Sequence, residues 1–84
     1  MRYTGIRDKN GRKIYNGDIL RWKDKGEHSD VDDIIVVFWS DELLAWAVRG
    51  KEWGKDFPDE FLYEYRRDDI EVIGNIIKGD VENE

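Results

Sequence analysis

The chain has 84 residues, a formal net charge of −6 and no cysteine, so it is expected to form one small domain with neither a disulfide framework nor a thiolate metal site. A chain of this size buries only about 60–65% of its unfolded surface, and the four Trp, four Tyr and three Phe offset that, since each ring can bury about 150–250 Å². No stretch approaches the ~18 apolar residues of a membrane span, and Met1-Arg2-Tyr3-Thr4 opens no apolar run, so a cytoplasmic protein without a signal peptide is expected.

Charge is unevenly placed. Residues 1–28 hold eight Lys/Arg against four Asp/Glu, whereas residues 29–84 hold six against sixteen. An acidic surface of this kind is repelled by nucleic-acid phosphates and attracted to basic partners. Charge of this size also serves simply to keep a small domain soluble.

Taken in order, residues 2–7 predict a short first strand. Asp8-Lys9-Asn10-Gly11 follows as a hairpin turn, because Asn-Gly is the strongest short turn dipeptide. Residues 13–15 then pair back across it. Asp-x-Asn-Gly also opens a calcium loop, but the twelfth position from Asp8 is Ile19 rather than the Glu such a loop needs. Asn16-Gly17-Asp18 is a second turn, with residues that tolerate positive φ and bond back to the backbone. It launches a strand at 19–23, in which alternation turns Leu20 and Trp22 to the core and Ile19 and Arg21 away.

Residues 24–33 form a polar loop with the only histidine, His28. One His without Cys partners makes no zinc site, and the loop's Asp30, Asp32 and Asp33 read as a charged tip. Ile34-Ile35-Val36-Val37-Phe38-Trp39 is the most apolar run, a strand covered on both faces. Ile34, Val36 and Phe38 are assigned to the interior, which puts Ile35, Val37 and Trp39 on the outer face. Ser40-Asp41-Glu42 turns the chain, and residues 43–48 return as the next strand.

Residues 49–58 contain two glycines and the only proline and read as a loop carrying Trp53 and Phe57. Residues 60–66 fit both a strand, with Phe61, Tyr63 and Tyr65 on one face, and a helical turn after Pro58. The strand is preferred because the rest of the chain is β. Residues 66–69 make a tight turn, and residues 70–77 form the last strand. Gly74 within it signals a bulge or a close backbone approach. Residues 78–84 read as a frayed polar tail.

The expected fold is therefore a single mainly β domain over residues 1–84. It is a small SH3-like antiparallel barrel or roll of five or six strands with at most one short helical turn. Two blocks resemble the YopX protein family: the opening stretch from Thr4 through Asn16-Gly17-Asp18-Ile19-Leu20, and Glu71-Val72-Ile73-Gly74-Asn75-Ile76 near the other end. The likeness implies a phage or prophage protein with a β-rich SH3-like barrel, and it implies no activity. The chain is shorter than many relatives and carries Lys78-Gly79-Asp80-Val81 where they have an Asn-Pro-Glu-Leu-like tail.

Catalysis finds little footing. Cysteine is absent, His28 and Thr4 are single residues of their types, and no phosphate-binding Gly-rich loop occurs. Numerous carboxylates do not by themselves make a poised acid–base pair. A non-enzymatic binding module without cofactor or metal is expected. Its partner would be a host or phage protein with a basic surface, held by Trp39, Trp53, Phe57 and Tyr63 with Asp30, Asp32 and Asp33 at the rim. Such a module could modulate a host nucleic-acid-handling protein by offering carboxylates where phosphates normally sit. Two alternatives stay open. A basic N-terminal set (Arg7, Lys9, Arg12, Lys13, Arg21, Lys23) could bind single-stranded nucleic acid, and exposed strand edges could pair in a homo-oligomeric structural protein.

Overall fold

The computed structural model describes residues 2–23, 32–51, 54, 58–76 and 80–81. β1 (Tyr3–Arg7) and β2 (Lys13–Tyr15) form an antiparallel hairpin. β3 (Asp18–Lys23), β4 (Asp32–Ser40), β5 (Ala45–Gly50), β6 (Glu60–Phe61), β7 (Ile70–Asn75) and β8 (Asp80–Val81) form a six-stranded antiparallel sheet in the order β6-β5-β4-β3-β7-β8. Among the described residues the only helical pieces are two single 3₁₀ turns, Leu62–Glu64 and Arg67–Asp69. The mainly β expectation holds, and none of these turns or strands is long and apolar enough to be a membrane-crossing helix.

One face of the sheet carries the core. Leu20, Ile35, Val37, Val48, Ile70 and Val72 are buried there, and Ile14 of the hairpin and Leu62 of the first 3₁₀ turn complete the cluster. The hairpin thus closes over the sheet and makes a roll. Leu20 and Trp22 face the core as their alternation predicted, with Trp22 packed at its margin. The parity assigned to β4 is corrected: Ile35 and Val37 are fully buried, whereas Ile34, Val36 and Phe38 are half-buried. Register decides this. Leu20 pairs with Ile35, so the core face of β3 selects the odd residues of β4. A run apolar on both faces offers no alternation from which to read that choice.

The turn at Asn16-Gly17 is built into the centre of the sheet. Gly17 has φ +85, its N–H donates to the Val37 carbonyl, and its carbonyl accepts from Ile76 N–H, each at 2.8 Å. Asp18 is buried, and its Oδ2 accepts from Tyr15 N–H while its Oδ1 accepts from Asn75 Nδ2, both at 2.7 Å. In β7, Gly74 pairs with Ile19 and Val72 with Leu20, so Ile73 is an extra residue and the bulge expected beside Gly74 is present.

Three local readings change. The segment at 60–66 is neither a strand nor a helix throughout, because it pairs for two residues and then turns to bury Leu62. Leu43 and Leu44 belong to the turn before β5, where Leu43 N–H donates to Ser40 Oγ at 3.0 Å. Asp80 and Val81, placed in the frayed tail, pair with Asn75 and Gly74.

Candidate functional site

Aromatic residues lie beside both ends of β4 on the core face, and they make different surroundings. At its start, Asp33 pairs with Trp22 of β3, which in turn pairs with Ile70 of β7. The 3₁₀ turn after β6 then delivers Tyr65 against Trp22, edge to face, with ring centroids 5.6 Å apart at 89°. Such a tilted contact suits the ring quadrupoles.

An open cleft lies here, lined by Trp22, Glu60, Glu64, Tyr65, Arg66 and Asp69. Among the described residues, three carboxylates line it with two large rings and one cation. The Tyr65 hydroxyl donates a hydrogen bond to Glu60 Oε1. Burial above all, then the hydrogen bond and charge of Glu60 with smaller contributions from Asp33 and Glu64, hold this hydroxyl protonated well beyond its ordinary range. Tyr65 therefore stays a donor, and Glu60 keeps its fixed orientation in the cleft.

Among the described residues, those predicted for partner binding (Trp39, Tyr63, Asp32 and Asp33) lie in different surroundings. Asp33 is half-buried opposite Trp22 and adds its charge to the Tyr65 surroundings. Asp32 is exposed at the start of β4 and lines a separate depression with Asp33, Ile34 and Lys51. Tyr63 is 65% exposed, its ring lying 4.9 Å from that of Phe61. Trp39 is not on the outer face. It shares the core face with Ile35 and Val37, stands opposite Trp46, and lies six residues from Asp33, roughly 20 Å along the strand. Trp53, Phe57 and Asp30 lie outside the described residues, as does His28.

The basic N-terminal set is partly engaged. Lys9 Nζ and Arg21 Nη1 each lie 3.9 Å from Glu71 Oε1. Arg7 Nη1 donates to the Gly11 carbonyl at 2.8 Å, and Lys13 Nζ sits 5.3 Å from the centre of the Tyr3 ring.

Trp22, Tyr65 and Glu60 escaped the sequence reading as a site. The one signal was Trp22 lying two residues beyond Leu20 at a strand end, where a core-facing ring reaches the rim. The approach of Tyr65 depends on a single 3₁₀ turn that periodicity leaves ambiguous.

The two blocks quoted for the family likeness meet in space. Asp8 bonds to Val72, Asp18 to Asn75, and Gly17 to Ile76. These residues hold the fold, and the cleft lies apart from most of them. A family model described as YopX protein matches residues 1–78. No curated protein matches the chain.

Proposed function

The chain belongs to the YopX protein family, and from that premise we propose that it is a non-enzymatic phage or prophage accessory protein that binds a basic protein surface through the Trp22–Tyr65 cleft. The carrying observation is the lining of that cleft, in which Glu60, Glu64 and Asp69 surround two packed rings with Arg66 as the one cation among the described residues. Carboxylates at the rim speed encounter with a basic partner, and the rings supply area with few torsions to freeze. A host nucleic-acid-handling protein, whose basic groove ordinarily receives phosphates, is the partner class that fits this chemistry. The engagement of Lys9 and Arg21 by Glu71 and the net acidity weigh against the nucleic-acid alternative.

The test compares the tagged wild type with a Glu64→Lys, Asp69→Lys double variant in co-purification from host cells at low and high salt. A basic protein held by the wild type at low salt, released at high salt and lost from the equally folded variant is the expected result. Tight, salt-sensitive binding of a mixed-sequence single-stranded oligonucleotide, abolished by Lys9→Glu with Lys13→Glu, would replace this reading with the nucleic-acid one.

A further inference from the structure

The other end of β4 holds a second constellation. Trp39 and Trp46 stand opposite each other across β4 and β5, with ring centroids 5.4 Å apart and planes at 77°. The guanidinium carbon of Arg2 lies 5.4 Å from the centre of the Trp39 ring and 5.3 Å from that of Trp46. Trp39 Nε1 donates to Asp41 Oδ1 at 2.9 Å, which fixes the ring and sets a carboxylate at the margin. Two indole faces converging on one cation, with a carboxylate beside them, is the arrangement that recognises organic cations.

Arg2 is held there lightly. Its side chain is exposed, and among the described residues it enters no ion pair. Its backbone is pinned separately, since the Arg2 carbonyl accepts from Asn16 N–H at 2.8 Å. The side chain can therefore leave the rings while the hairpin stays in place. In the adjoining turn Leu44 is 76% exposed and held at φ +54, a conformation that a leucine adopts at a cost.

We propose that the Trp39–Trp46 pair is an arginine-recognition site, occupied in the free protein by the chain's own Arg2 and open to an arginine of a basic peptide once Arg2 swings away. The guanidinium carbon lies within 5.4 Å of both ring centres, and a guanidinium, more weakly hydrated than a compact ammonium, gives up less solvation on entering such a site. Arg2 acts as an internal competitor, so the apparent affinity for an outside arginine falls with the fraction of molecules in which the rings are uncovered. The inference does not depend on the Trp22–Tyr65 cleft, which lies at the opposite end of the same strand.

The experiment follows the indole N–H resonances of the full ¹⁵N-labelled chain as blocked Gly-Arg-Gly, Gly-Lys-Gly and Gly-citrulline-Gly peptides are added. In Arg2→Ala, and in Arg2→Gln as a milder second variant, the arginine peptide is expected to shift Trp39 and Trp46 at concentrations at least about fivefold lower than in the wild type, through removal of the competitor. The uncharged citrulline peptide should leave both unmoved. Trp39→Leu combined with Arg2→Ala should abolish the response while the rest of the spectrum is retained. Equal response to arginine and citrulline, equal affinity for the lysine peptide, or no shift of either resonance in both Arg2 variants would overturn the proposal. A shift confined to Trp22 would do so too, while supporting the cleft.

Discussion

Asp8 Oδ2 accepts a hydrogen bond from the backbone N–H of Val72 at 2.9 Å, across 64 residues of sequence. Its Oδ1 accepts from Asn10 N–H at 2.9 Å and Arg12 N–H at 2.8 Å, and the residue is fully buried. One carboxylate thus shapes the first hairpin turn and ties it to β7, an attachment that Lys9 N–H doubles by donating to the Ile70 carbonyl at 3.0 Å. Hydrogen bonds to a charged acceptor contribute about 1.5–3 kcal/mol each, and a buried donor left unpaired costs about as much. Asp8→Ala is expected to destabilise by about 3 kcal/mol or more, a large share of the ~5–10 kcal/mol of a small domain. Asp8→Asn should cost less but still over ~1 kcal/mol, since its NH₂ cannot accept. Urea titrations of both variants measure this, and loss of less than that from Asp8→Ala would show that the turn stands without the carboxylate.

The corrected parity of β4 can be checked by paired truncation. Ile35→Ala removes a fully buried side chain and should cost about 2–5 kcal/mol. Phe38 is half-buried, with the Arg49 guanidinium 4.9 Å from its ring centre, so Phe38→Ala should cost about half as much or less despite removing more atoms. A larger loss at Phe38 than at Ile35 would restore the opposite assignment.

Backbone conformation sets opposite signs at two turns. Gly17 is buried at φ +85, and a β-branched residue is disfavoured there, so Gly17→Val should destabilise by about 2 kcal/mol or more. Leu44 carries the reverse situation, a bulky exposed residue at φ +54. Asn tolerates that region better, and Leu44→Asn should stabilise by about 0.5–1 kcal/mol. Thermal unfolding of the two variants reads both signs. If the arginine site extends onto Leu44, the stabilised variant should also bind the arginine peptide more weakly.

Tyr65 predicts a specific alkaline behaviour. Its proton is held more firmly in the folded protein than in the unfolded chain, where a tyrosine titrates near pH ~10. The unfolded state therefore releases this proton first. The contribution to stability is fully present below about pH 10 and is lost as pH rises beyond it. Tyr65→Phe should be less stable than the wild type at neutral pH, yet lose less between about pH 9 and about pH 11. Urea titrations at the two pH values give the comparison, and equal losses would remove Tyr65 as the cause.

Much of this was legible in the sequence because local chemistry and tertiary demand agree at the turns. Asn10-Gly11 and Asn16-Gly17 turn where their residues permit, and Gly74 marks a bulge. Leu20 and Trp22 face inward because polar or outward-facing neighbours alternate with them. β4 was misread because six consecutive apolar residues satisfy either parity, and only pairing with β3 chooses. The cleft was missed because its members come from β3, β6 and two 3₁₀ turns, far apart in sequence. Asp8 was read only as a turn residue, and its bond to Val72 depends on a partner that no local window contains. Trp39 was placed on the outer face by the same misread parity, and the sequence holds no sign that Arg2 lies over its ring.

The position of β3 has a consequence for how the protein is made. It is flanked by β4, which follows it closely, and by β7, which begins some fifty residues downstream of its first residue. As the chain leaves the ribosome, β3, β4 and β5 can pair early as a meander, while the other side of β3 waits for β7. During that interval its free N–H and C=O groups form a bare edge beside Leu20 and Trp22, a template for another nascent chain. Truncations ending before Ile70 should therefore accumulate as aggregates, and synthesis reaching Asn75 should convert the same segment into soluble protein.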